Sequence, residues 1–156
     1  MQLSLCYLFQ GLSKPQLDSL SQIAFSQKIQ FQKGQWLFRE NRPAEHIFIL
    51  ENGAVELVTT VDDAVELPIT IKRLPGSCFG TPALVPPHLY SLSARGVEDG
   101  SLLAIKQADL QNLIDKDREL GLAIMNNLAK HLLERLKETR QELKIHFKVL
   151  FKSVHS

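Results

Sequence analysis

A mainly β domain, a sandwich or barrel with a helix in front and a long helix behind, is the fold class that these 156 residues predict. Three observations carry the prediction. Between Ile29 and Ile105 apolar residues alternate in short runs divided by glycine turns, the two-residue period of half-buried strands. Ahead of that stretch, Leu17, Leu20 and Ile23-Ala24 share one stripe at helical spacing. Behind it the period lengthens to three and four, and no proline interrupts the chain from Leu120 to Leu150. The expected division is therefore residues 1–115, a strand-rich domain with its lead-in, and residues 116–156, a long helix that serves as a dimerisation element.

The elements follow in order. Ser13 is placed to cap a helix and Pro15 sits where a missing N–H costs little, so Ser13-Lys14-Pro15-Gln16 is a helix start. Ile29 and Phe31 open the first strand, Lys33-Gly34 turns, and Trp36-Leu37-Phe38 is the second. His46 to Leu50 forms a strand, Glu51-Asn52-Gly53 has the composition of a tight hairpin, and Val55, Leu57 and Thr59 alternate beyond it. Thr60 to Glu66 is an acidic loop, and Leu67–Arg73, Leu89–Ala94 and Ser101–Ile105 complete the strands. Leu110, Leu113 and Ile114 lie on one helical face. In the last helix Met125, Leu128, Leu132, Leu136, Leu143, Phe147 and Leu150 recur three, four or seven apart. A helix of about 30 residues is roughly 45 Å long. That exceeds what a small β domain needs for cover, so part of the stripe is expected to meet a second copy of the chain.

Composition removes several function classes. The chain is 44% hydrophobic with a net charge of +1, enough for a core and no global attraction to nucleic acid. No apolar run reaches membrane-spanning length and Met1-Gln2-Leu3-Ser4 lacks a basic stretch, so a cytoplasmic location and no membrane partner are expected. Cys6 and Cys78 are too few for a disulfide scaffold and are expected as two buried thiols. His46, His88 and His131 are scattered without the convergence a metal site needs, and Cys78 has no histidine nearby in sequence. No catalytic residue, metal or cofactor is expected, and the chain is expected not to be an enzyme.

The remaining signal is the loop Leu74-Pro75-Gly76-Ser77-Cys78-Phe79-Gly80-Thr81-Pro82-Ala83-Leu84. Thr81 is a good N-cap and Pro82 a good first helical residue, so Pro82 to Val85 should make one short helical turn, stopped by Pro86-Pro87. The start of such a turn exposes backbone N–H groups that suit an anion.

The loop and its setting resemble the cyclic nucleotide-binding domain family, the sensor half of regulators of the catabolite activator type. The likeness covers nearly the whole chain. It runs through Leu8-Phe9-Gln10-Gly11-Leu12-Ser13, Phe31-Gln32-Lys33-Gly34-Gln35-Trp36-Leu37-Phe38, Ile47-Phe48-Ile49-Leu50-Glu51-Asn52-Gly53-Ala54-Val55 and the Gly76–Leu84 cassette. The resemblance implies a double-stranded β-helix, or jelly-roll, barrel with a helix at the N-terminus and a long helix at the C-terminus. It implies a ligand wall of Gly80, Thr81, Pro82, Ala83, Tyr90 and Ser91, with a cyclic nucleotide or related phosphate as the candidate ligand. Family members that bind cyclic AMP usually carry Phe-Gly-Glu where this chain has Phe79-Gly80-Thr81, and an arginine where it has Tyr90 before Ser91. Both charged partners are replaced, so main-chain donors are expected without a fixed cation opposite them.

Other groups are poor substitutes. Strand alternation sends Ser93 and Arg95 outward, Arg73 precedes the cassette, His88 is expected as a solvated loop residue and Tyr90 as a buried filler ring. Asn126 and Asn127, the nearby amides on the long helix, are expected on its surface. The tail is mildly basic without a recognition helix, so no direct DNA binding is expected of these residues. Two functions fit. One is a regulatory sensor or adaptor with a degenerate cassette, acting through a protein partner in signalling with weak or no cyclic AMP binding. The other is the sensor part of a Crp/Fnr-type transcriptional regulator, separate from its DNA-binding domain.

Overall fold

The computed structural model describes residues 3–155. Helix α1 (Lys14–Ala24) begins as the sequence predicts: the Gln16 N–H donates to the Ser13 hydroxyl, and the Ser13 N–H donates to Gln16 Oε1 at 2.9 Å. This reciprocal cap satisfies two donors that the first turn cannot pair internally. Strands β1 (Lys28–Phe31), β2 (Trp36–Phe38), β3 (His46–Val61), β4 (Val65–Lys72), β5 (Cys78–Phe79) and β6 (Ser93–Lys106) then form one antiparallel sheet. Its path is β1-β6-β3-β4, with β2 also on β6 and β5 also on β3.

The expected closed jelly-roll barrel does not form. The path ends at β1 on one side and at β4 on the other, and no ladder among the described residues joins those ends. The architecture is mixed, an open six-stranded sheet with three α-helices. The stretch that should have supplied another strand, Leu89–Ala94, enters the sheet only at Ser93. Ahead of that point Leu89 makes a single bridge to Pro43, and Pro86-Pro87 sits just upstream. Pairing around that bridge is confined to the Asn41–Ala44 loop, where the Tyr90 N–H donates to the Arg42 carbonyl and the Ala44 N–H to the His88 carbonyl, and Pro43 and Pro86-Pro87 have no N–H with which to lengthen it.

Two turn expectations also change. Glu51-Asn52-Gly53 lies inside β3, where the register against β6 slips at Leu50/Asn52, Asn52/Ala54 and Ala54/Val55. Gly53 (φ +86°) backs onto β6 so closely that a Cβ there would lie 2.6 Å from the Asp99 carbonyl oxygen. The glycine signals a bulge rather than a hairpin, and the bulge bends the long strand. The hairpin itself is at Asp62-Asp63, both with positive φ, and the expected Thr60–Glu66 loop contracts to it.

The core lies where β3 and β6 face the helices. Ile47, Ile49, Leu50, Leu102, Leu103 and Ile105 are fully buried, in one cluster with Leu8, Phe9 and Leu20 and with Leu110, Leu120, Ile124 and Leu128. Leu110 belongs to α2 (Gln107–Lys116), and Leu120, Ile124 and Leu128 belong to α3 (Arg118–His155). Helix α3 is 38 residues long, about 57 Å, longer than the periodicity alone suggested. Its buried residues end at Leu128, and Leu132, Leu136, Leu143, Phe147 and Leu150 are all exposed.

Candidate ligand cleft

The cassette hangs on two left-handed glycines. Gly76 (φ +89°) donates to the Leu50 carbonyl at 2.8 Å and packs against Leu5, while Cys78-Phe79 pairs with Ile49-Phe48 of β3. Gly80 (φ +80°) caps the 3₁₀ turn Thr81–Leu84 in place of the expected Thr81. A Cβ on Gly80 would lie 3.1 Å from the His46 carbonyl oxygen and 3.4 Å from the Tyr90 ring, a tight fit that would make these neighbours shift, and the positive φ itself favours glycine. With Gly80 as cap and no side-chain cap bond, the Thr81 hydroxyl is not committed to the turn.

Tyr90 is the filler ring that the sequence suggested. It is 5% exposed, stacks on Phe38 at 3.8 Å between centroids, and donates its hydroxyl to the His46 carbonyl at 3.0 Å. Burial raises its pKa, so it is a neutral donor. His88 is not a simple solvated histidine: its Nδ1 lies 2.9 Å from the Ala83 carbonyl oxygen, stapling the far end of the turn.

In front of the cassette lies a cavity of about 190 Å³. Gly80, Thr81, Pro82, Tyr90 and Ser91 line it, whereas Ala83 is buried behind and does not. The facing wall holds Tyr7, Thr70 and Lys72, together with His131 and Arg135 from α3. Two cations that the sequence reading did not weigh, Lys72 and Arg135, thus line the same cavity as the cassette, although neither replaces the arginine expected at Tyr90. Arg95 points away from this cavity, bound to Glu56 at 2.6 Å and Glu66 at 2.8 Å over the Trp36 ring, and Arg73 is paired with Glu98, whereas Ser93, expected outward with Arg95, is 3% exposed and accepts from the Glu40 N–H at 2.8 Å. The cations come from elsewhere: Lys72 is half-buried and has no ion-pair partner among the described residues, while Arg135 pairs with Glu138 at 2.9 Å.

Burial lowers the Lys72 pKa. It also lowers that of His131, with Lys72 and Arg135 adding to the effect. These residues were legible in hindsight. Thr70 and Lys72 alternate along β4, and Asn127, His131 and Arg135 recur every four residues on α3. Asn127 lies outside the cavity and donates to the Leu8 and Gln10 carbonyls at 2.8 and 3.0 Å, and His131 stacks on Tyr7 at 4.0 Å. The lead-in is thus pinned to α3. A larger, shallow hollow of about 570 Å³ lies at the β1–β6 edge, but its charged groups are satisfied internally: Lys28 reaches Glu51 at 3.4 Å and Asp99 accepts from the Lys33 N–H.

The cyclic nucleotide-binding domain model matches residues 28–117, more than half of the chain. The chain belongs to the cyclic nucleotide-binding domain family. It is 31% identical over 136 residues to the cyclic AMP receptor protein of Thermus thermophilus, covering 87% of this chain and 60% of that one. It is 25% identical over 125 residues to the anaerobic regulatory protein of Bacillus subtilis, covering 80% and 52%. The chain thus spans little more than half the length of these two relatives. Among solved structures, the catabolite activator protein of Thermus thermophilus superposes with a TM-score of 0.75 at 29% identity, covering 89% of this chain and 62% of that one. As a Crp-like cyclic nucleotide-binding domain it is a regulatory, signal-transducing module and not an enzyme. No helix among the described residues is long and apolar enough to cross a membrane.

Proposed function

We propose that the chain is the sensor part of a Crp/Fnr-type transcriptional regulator, that it works as a homodimer joined along α3, and that its cleft holds cyclic AMP weakly or not at all. Likeness to a cyclic AMP receptor protein and to an anaerobic regulatory protein favours this reading over a free-standing adaptor. The observation that carries the affinity claim is Tyr90. Where nucleotide-binding relatives place an arginine, its ring closes on Phe38 and its hydroxyl is already bonded to His46. Losing the partner of a sheltered charge costs on the order of 2–5 kcal/mol, roughly 30- to 4,000-fold in affinity.

The candidate ligand contacts are the wall Gly80, Thr81, Pro82, Tyr90 and Ser91, with Ala83 behind it and Lys72 and Arg135 as counter-charges. An anionic ligand touching both walls draws the cassette towards α3, because Arg135 and His131 belong to that helix. The resulting shift in α3 orientation is the signal. The apolar stripe that α3 leaves uncovered, Leu132 to Leu150, supports the second copy.

The test is calorimetric titration with cyclic AMP, cyclic GMP and cyclic dinucleotides, alongside a solution mass. The expected dissociation constant for cyclic AMP is weaker than about 10 μM, or above −7 kcal/mol in binding free energy. Tighter binding would overturn the account of the cleft, and a monomer at high concentration would remove the role given to α3.

A further inference from the structure

The polarity of the cavity in front of the cassette is arranged by depth. Its inner surface is apolar: Leu57, Cys78, Phe79 and Tyr90 line it, and all four belong to the buried core. The Tyr90 hydroxyl is already spent on the His46 carbonyl. The charged groups lie further out, where Lys72 is half-buried and the Arg135 side chain is 41% exposed. Among the described residues no carboxylate lines the cavity, so these cations have no counter-charge inside it. Arg135 has only Glu138 at 2.9 Å, an exposed pair three residues apart that holds little free energy, so an incoming anion displaces it at small cost. Burial, then the nearby charges of Lys72 and Arg135, hold His131 below its ordinary pKa, with Glu134 and Glu138 acting the other way.

Size narrows the occupant. About 190 Å³ equals roughly six water molecules at about 30 Å³ each, below the ~300–1,000 Å³ of sites for drug-sized ligands. While the Tyr90 ring fills the cassette end, a purine, a ribose and a phosphate together exceed this space. One anionic group on a short body does not.

We propose that the cleft takes a small organic anion, one carboxylate or phosphate group on a short aliphatic or aromatic body, held in the reverse sense to a cassette-bound phosphate. The body lies on Leu57 and Phe79, and the anionic head faces Lys72 and Arg135. Apolar surface leaves water for an apolar floor, while the head keeps its charge at the mouth, where cations replace lost hydration. Lys72 belongs to β4 and Arg135 to α3, so the head ties the long helix to the sheet edge. This inference rests on the reading of the cleft as a sensor's ligand site.

The test is NMR titration of the full chain with sodium benzoate, phenyl phosphate, inorganic phosphate and uncharged benzyl alcohol, in buffer free of other carboxylates and phosphates. Benzoate or phenyl phosphate should bind with a Kd below about 1 mM, at least tenfold tighter than the alcohol or inorganic phosphate. The tighter of the two identifies the head as carboxylate or phosphate. From acetate to butyrate, affinity should rise about fourfold per methylene. Intermolecular NOEs should join the benzoate ring to the Leu57 methyls and the Phe79 ring. Lys72→Met should weaken benzoate about tenfold, and Lys72→Arg should stay within about threefold of native. If Lys72→Met folds poorly, the alcohol comparison and the NOEs of the native chain still decide. Binding indifferent to charge or to Lys72, or ring NOEs to the mouth alone, would overturn the proposal. No benzoate or phenyl phosphate binding beside weak cyclic AMP binding would sink this inference alone. Cyclic AMP bound more tightly than about 10 μM would sink the reading of the cleft beneath it.

Discussion

Replacing Tyr90 with arginine and Thr81 with glutamate should convert a weak cleft into a cyclic nucleotide site at a measurable cost in stability. The cost comes from the ring. Tyr90 is 5% exposed, stacks on Phe38 at 3.8 Å and gives its hydroxyl to the His46 carbonyl at 3.0 Å. Removing a buried aromatic ring outright costs about 3–5 kcal/mol, and the arginine methylenes refill part of the space, so about 2–4 kcal/mol remains. For a chain of this length that lowers Tm by roughly 6–12 °C. The gain comes from a charge-assisted arginine–phosphate pair beside the Gly80–Pro82 turn, about 2–5 kcal/mol, so cyclic AMP affinity should rise at least 30-fold. The assay is calorimetry on the native chain, Tyr90→Ala, Tyr90→Arg and the double variant, each with a melting curve to establish folding. A folded double variant that binds cyclic AMP within threefold of the native chain would refute the reasoning. So would a Tyr90→Ala protein that gains as much, because the obstacle would then be bulk rather than missing charge.

Three further outcomes are expected. Gly53→Ala places a Cβ against the Asp99 carbonyl at positive φ and should cost about 2–4 kcal/mol; a melt within 2 °C of native would show that the bulge can relax. The His131 pKa is held below its ordinary 6.5 in the folded chain, so the unfolded chain binds more protons and stability falls as pH drops below 6.5. His131→Gln should flatten the urea midpoint between pH 5 and 7.5, and an unchanged slope would count against the burial assigned to that ring. Leu143→Glu with Leu150→Glu, at positions 67% and 65% exposed, should halve the mass in sedimentation without changing the melt of the sheet domain. An unaltered dimer would place the interface elsewhere.

The short-range features of this protein were written in its sequence. The Ser13 cap, the strand alternation, the left-handed glycines of the cassette and the apolar stripe of α3 depend on residues within one turn or one hairpin of each other. Local sterics and periodicity are enough to specify them. The filling role of Tyr90 followed from its bulk, whereas strict alternation failed at the start of β6, where Ser93 and Ala94 are both buried. What tertiary structure alone decided is how distant segments meet. Gly53 is a bulge rather than a hairpin because Asp99, far along the chain, occupies the space behind it. The sheet stays open because the segment ahead of Ser93 spends its backbone groups on the Asn41–Ala44 loop rather than on a strand that would join β1 to β4. Lys72, Arg135 and Tyr7 line one cavity only because β4, α3 and the lead-in converge on the cassette. Contact energy depends on distance in space, and no pattern along the chain encodes that separation until the core has packed.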